Sequence, residues 1–178
     1  MSGPKPEWMV VLRSAVFGSP KVGFRMSHKL KVIFDDPGDG WVCVKLSCGV
    51  EIADIIACYT PYDSFLDLVD ALYNLFLYEG EWRVSWNEAP VECELRFRKT
   101  GNLVNFELLE FPDHRRELQR AESRLKAKGS YDEIAIPFWR ALRNLQGRFS
   151  SEELHTRWHR AFPSKELEEL TFILRSAS

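Results

Sequence analysis

Residues 82–111, WRVSWNEAPVECELRFRKTGNLVNFELLEF, decide the fold. Trp82, Val84 and Trp86 alternate with Arg83 and Ser85, and Val91, Cys93, Leu95 and Phe97 alternate with Glu92, Glu94, Arg96 and Arg98. A period of two puts one set on a buried face and the other toward water, which is the signature of an antiparallel strand covered on one side. Lys99-Thr100-Gly101-Asn102 supplies turn chemistry before the next apolar run, Leu103 to Phe111, so the segment predicts a three-strand meander.

Working outward toward the N-terminus, Leu30, Val32 and Phe34 alternate with Lys29 and Lys31 before DDPGDG, and Val42, Val44 and Leu46 continue the pattern, predicting a hairpin. Val50 to Tyr59 reads as a central strand covered on both faces, since Ile52, Ile55 and Ile56 leave few positions for water. Thr60-Pro61-Tyr62-Asp63 has the residues of a helix start. Phe65, Leu68, Val69, Leu72, Leu75 and Phe76 then recur at helical spacing, so an amphipathic helix over 61–78, stopped by Gly80, is expected on the sheet. Residues 8–17 are expected to be a strand or an N-terminal arm within residues 1–29.

Toward the C-terminus, residues 113–129 carry only a thin apolar stripe (Leu118, Ala121, Leu125) and read as a marginal helix or an extended excursion. Helices follow over 130–175: one capped by Ser130, with Pro137 inside and Gly147 at its end, then Ser151 to Arg160 and Ser164 to Leu174. The expectation is a single α+β domain over 1–178, with an antiparallel sheet of about six strands in 30–111, one amphipathic helix and a C-terminal helical segment.

At 178 residues with 45% hydrophobic and 13% aromatic composition, the chain has ample material for a core. No apolar run suits a membrane span or an export signal, and the four cysteines read as free thiols, so a cytoplasmic location is expected. Glycine-rich phosphate loops, nucleophile elbows and C-x-x-C pairs are absent from the sequence, and no catalytic residue, metal or cofactor is expected. His155 and His159 stand four apart, but Thr156 occupies the place of a zincin's acid. Asp35 to Gly40 imitates the start of a calcium loop, yet Leu46 falls where the bidentate glutamate belongs, so it reads as a turn.

Charge placement carries the functional reading. The net charge of −2 divides unevenly: Val50 to Leu95 holds ten acids and one base, whereas Arg96 to Arg148 holds twelve bases and seven acids. Asp63, Asp67, Asp70 and Asn74 step along one ridge of the first helix, where like charges cost on the order of 0.2–0.5 kcal/mol per pair. Glu92 and Glu94 are expected to be solvated on the outer face of their strand. One explanation is a soluble face, neutralised by the basic segment containing Arg115, Arg116, Arg120, Arg124, Lys126 and Lys128. The other is a docking surface for a basic protein, made of Asp67, Asp70, Glu79, Glu81, Glu92 and Glu94. A nucleic-acid ligand is not expected for an acidic face.

The strand Val50 to Tyr59, Phe65-Leu66-x-Leu68-Val69-x-Ala71-Leu72, Trp86-x-Glu88-x-Pro90 and Trp158-x-x-x-Phe162-Pro163-x-x-x-Leu167 resemble a family of uncharacterised bacterial proteins, some of them immunity partners of toxins. The resemblance spans Trp41 to Leu174 and departs at 113–129. It implies a non-enzymatic binding protein that covers the basic cleft of a toxin, and it brings no catalytic residues. Three other readings stay open: an enzyme using Glu88, His114, His155 and His159, a small-molecule sensor with an apolar cavity, and a homo-oligomer with an exposed apolar patch.

Overall fold

The computed structural model describes residues 29–177. Its fold is α+β, with seven antiparallel strands in one sheet whose spatial order follows the sequence, and four helices. The N-terminal segment 8–17 lies outside the described residues.

The expected hairpin is present as β1 (Lys31–Phe34) and β2 (Trp41–Cys48), with Asp35 N donating to Cys43 O across its mouth. Asp39 and Gly40 turn the chain at positive φ, and Gly40 is buried against the Tyr59 ring, where a side chain would collide. The third strand, β3 (Glu51–Cys58), pairs along its length with β2. Among the described residues it is covered on one face only, which corrects the sequence expectation. Ala53, Ile55 and Ala57 enter the core, while Ile52 and Ile56 stand 74% and 58% exposed. The apolar run was dense because β3 carries isoleucines on its solvent side.

The first helix, α1 (Ser64–Leu77), starts later than Thr60-Pro61 suggests. Asn87 Nδ2 and Cys58 Sγ both donate to Thr60 O, at 2.6 and 3.2 Å, which ties Thr60 to the strands. Ser64 Oγ donates to Ser85 O at 2.7 Å and anchors the first turn. The helix ends at Tyr78 in extended conformation, so Gly80 opens the next strand and does not terminate the helix. The meander follows as β4 (Gly80–Asn87), β5 (Glu92–Thr100) and β6 (Leu103–Phe111).

The stretch read as a marginal helix or an extended excursion contains a seventh strand. After a loop with a single 3-10 turn at Leu118–Arg120, β7 (Glu122–Gly129) pairs with β6. Leu125 and Ala127 face the core, while Arg124, Lys126 and Lys128 face out.

Sheet continuity between β3 and β4 rests on the pair Cys58↔Asn87. From there β3 runs obliquely toward β7, and side chains take over from strand pairing. Ile56 N donates to Glu88 Oε1 at 2.5 Å, and Lys126 N donates to Glu51 Oε2 at 3.3 Å. These carboxylates satisfy edge amides that would otherwise lack partners.

Three helices complete the chain: α2 (Tyr131–Arg148), α3 (Ser151–Trp158) and α4 (Ser164–Ser176). Ser130 caps α2 as expected and forms a capping box with Glu133, Pro137 sits inside the helix, and the helix runs on past the end expected at Gly147. One continuous buried cluster joins the sheet to α1, α2 and α4. Phe65 is its hub, with ring centroids 5.4 Å from Phe34, 5.5 Å from Trp86, 5.0 Å from Trp158 and 5.4 Å from Phe162. Among the described residues no helix is long and apolar enough to cross a membrane.

Candidate functional site

The six carboxylates singled out in the sequence divide into two groups. Glu92 and Glu94 do alternate with core residues on β5, as their period requires, but they are 4% and 3% exposed, which overturns the expectation of solvated charges. The cover is the loop between β6 and β7. Arg116, at positive φ, extends from it over the outer face of the sheet. Its guanidinium donates to Glu94 Oε2, donates to Ser85 Oγ at 2.6 Å, approaches Glu92 at 3.7 Å and lies 5.1 Å above the Phe111 ring. Arg96 donates to Glu94 Oε1 from Nε and Nη2 at 2.9 and 2.7 Å, and Tyr62 Oη donates to Glu92 Oε2 at 2.9 Å.

Glu81 is equally engaged. Arg83 donates to its Oε1 at 2.7 and 2.5 Å, and Arg98 donates to its Oε2 at 3.0 and 2.5 Å. These bonds, led by that from Arg98, hold its carboxyl below the usual glutamate range despite its partial burial. Glu79 is exposed, and its Oε1 accepts from Gly101 N at 3.0 Å, clasping the β5–β6 turn. The acids on β4 and β5 are therefore matched largely by arginines of the same chain. Sequence reasoning named the basic segment as a possible neutraliser, but it could not single out Arg116, whose reach depends on a loop folding back across the sheet.

Asp67 and Asp70 behave differently. Both are exposed on α1, and neither forms an ion pair among the described residues. Partial burial raises the Asp67 carboxyl, and the charges of Asp63 and Asp70 raise it further, with Arg160 acting in the opposite sense. Partial burial also raises Asp70, reinforced by the charge of Glu166 on α4. Asp63, at the start of the same ridge, is 3.8 Å from Arg160. Packing of α4 against α1 thus adds Glu166 to the ridge, a residue about a hundred positions away with no sequence signal linking it to Asp70. Beside the ridge, Phe172 is 72% exposed, at a shallow groove of about 420 Å³ that Tyr73 of α1 lines with Lys165, Glu168, Glu169 and Ile173 of α4.

The residues considered for other chemistry are placed as follows. Cys93 Sγ donates to Glu88 Oε2 at 3.1 Å, and Glu110 completes a group whose ligand atoms lie within 4.8 Å of one another. Burial, with the Glu88 carboxylate behind it, pushes the Cys93 thiol far above its ordinary range, which suits it as the proton donor to Glu88. Glu110 takes a hydrogen bond from Arg124. His159 caps α3 in left-handed conformation with its ring 5.1 Å from that of Tyr59, and both His155 and His159 are exposed. No disulfide links any of the four cysteines. The chain matches no family model, no curated protein and no solved structure.

Proposed function

We propose that this is a binding protein that engages a basic protein partner through the α1–α4 face, with Asp67, Asp70 and Glu166 as its acidic ridge and Phe172 as its apolar anchor. The supporting observation is that Asp67 and Asp70 stand exposed on α1 with no ion pair among the described residues, close to the exposed Phe172. Partial burial, and after it the charges of neighbouring acids, raise both carboxyls, with Arg160 acting in the opposite sense at Asp67, and a cationic partner relieves that cost on binding. An exposed aromatic beside a charged rim is the composition of an interaction hot spot.

The surface proposed is smaller than the sequence suggested. Glu92 and Glu94 leave it because they are covered, and Glu81 leaves it because it is already paired. A toxin whose cleft is lined with lysine and arginine is a partner of this chemistry, and neutralising one inside the cytoplasm is the role that the sequence resemblance implies.

The test is co-purification with the basic partner, comparing the wild type with an Asp67→Lys, Asp70→Lys double variant. Removing repulsion leaves the fold intact, so an unchanged thermal melt with partner recovery reduced about tenfold or more is the expected result. Equal recovery of wild type and variant would contradict the assignment of this face.

A further inference from the structure

The outer face of β5, β6 and β7 carries an arrangement that the protein-binding reading does not use. Strand register sets two rows side by side: Arg98–Asn105–Lys128 and Arg96–Glu107–Lys126. Adjacent strands lie about 4.8 Å apart and alternate residues about 6.7 Å apart, so the Cα atoms of the four basic residues stand at the corners of a frame of roughly 10 by 7 Å. Asn105 is exposed at the middle of the first row. The frame encloses an open groove of about 560 Å³, within the range of small-molecule sites.

Two features make this more than a solvated strand face. The arginines are held in place: Arg96 engages Glu94, and Arg98 engages Glu81, in each case through Nε and Nη2. Among the described residues that leaves the Nη1 edge of each guanidinium available, already oriented, with little side-chain entropy to lose on binding. The positive charge also exceeds the local acid. Lys126 lies 3.1 Å from Glu107, but Lys128 has no ion pair among the described residues. Two guanidinium edges, two ammonium groups and an amide within one small frame outnumber the single carboxylate inside it, Glu107, which Ser123 and Lys126 hold, and are donors suited to several oxyanions at once.

We infer that this groove binds the phosphates of a small phosphorylated molecule bearing at least two of them. Its polyanion is held at Arg96, Arg98, Lys126 and Lys128, with Asn105 donating between them. A nucleic-acid strand fits less well. Phe106, the aromatic among the residues lining the groove, is buried on the core side, so among the described residues the groove offers no stacking platform for bases. The opposite side of β5 packs on the helices, with the Phe97 and Phe138 rings 5.3 Å apart, so the groove is separate from the α1–α4 ridge.

Titration calorimetry of the full chain with pyrophosphate tests this. Saturable binding is expected at a single site, weakened roughly tenfold or more in Lys128→Glu, whose side chain forms no ion pair among the described residues, with the Asn105 side-chain amide shifting in the NMR spectrum of the wild type. Absence of saturable binding, or equal affinity in wild type and Lys128→Glu, overturns the proposal. Oligothymidylate binding that tightens with length while pyrophosphate fails to bind overturns it as well, in favour of a nucleic-acid surface.

Discussion

Glu81 and Asp67 carry the same charge with opposite energetics. Glu81, held by Arg98 and Arg83, has its carboxyl lowered in the fold, so its stabilising contribution is present above the ordinary glutamate range and is lost as pH falls through the folded value. Asp67 and Asp70 have theirs raised, so each destabilises the fold once ionised, and protonation removes that penalty as pH falls. A Glu81→Gln variant should therefore be less stable than wild type near neutral pH, and the difference should shrink at an acidic pH below the ordinary glutamate range, as the wild-type carboxylate takes up its proton. Urea midpoints at the two pH values measure it, and a difference that persists unchanged at low pH contradicts the pairing. At this scale the sequence showed which face of β5 each residue occupies, because the period of two is unambiguous. It could not show burial, because the cover over Glu92 and Glu94 comes from Arg116, more than twenty residues away.

Among the elements, α2 has a start that is written locally, as α3 does with Ser150 and Glu153. Ser130 Oγ accepts from Glu133 N at 3.3 Å, and Glu133 Oε2 accepts from Ser130 N at 2.9 Å. Ser130→Ala should cost about 1 kcal/mol in urea denaturation, and a cost near zero would mean that packing alone fixes the helix start. Elements specified by local spacing in this way, the hairpin, the meander and α1, were legible in the sequence. Two were not fully legible, for different reasons. In β7 the inward set is Leu125, Ala127 and Gly129, so little apolar contrast marks its period, although the outward Arg124, Lys126 and Lys128 alternate strictly. In β3 the error was of covering: Ile52 and Ile56 face water, and strand sequence alone does not distinguish a second packed layer from an apolar exposed face. The start of α1 was missed because Thr60 is held by Asn87, a tertiary contact that local cap residues do not reveal.

The whole molecule is organised about Phe65, where α1, β1, β4, α3 and the chain at Phe162 meet. Phe65→Ala should cost roughly 3–5 kcal/mol, since these fixed aromatic neighbours cannot collapse into the space left. Urea denaturation measures that loss, and a cost below about 1 kcal/mol would show that the cluster repacks. Around this core the charge is sorted by surface. Arginines meet the acids of β4 and β5 on the outer sheet face and leave a basic remainder there, while Asp67, Asp70 and Glu166 on α1 and α4 form no ion pair among the described residues. The candidate interaction surface was thus half legible: Asp67 and Asp70 follow from helical spacing, whereas Glu166 and Phe172 join them only through the packing of α4 on α1.

The proposed binding surface depends on the ridge carboxylates being unmet within the chain itself, and a carbon-13 NMR titration of the side-chain carboxyls reads this directly. Asp67 and Asp70 should titrate above the ordinary aspartate range while Glu81 titrates below the glutamate range in the same sample. Asp67 and Asp70 titrating at or below the ordinary aspartate value would mean that the chain already neutralises its ridge, and the α1–α4 face would have no charge to offer a partner.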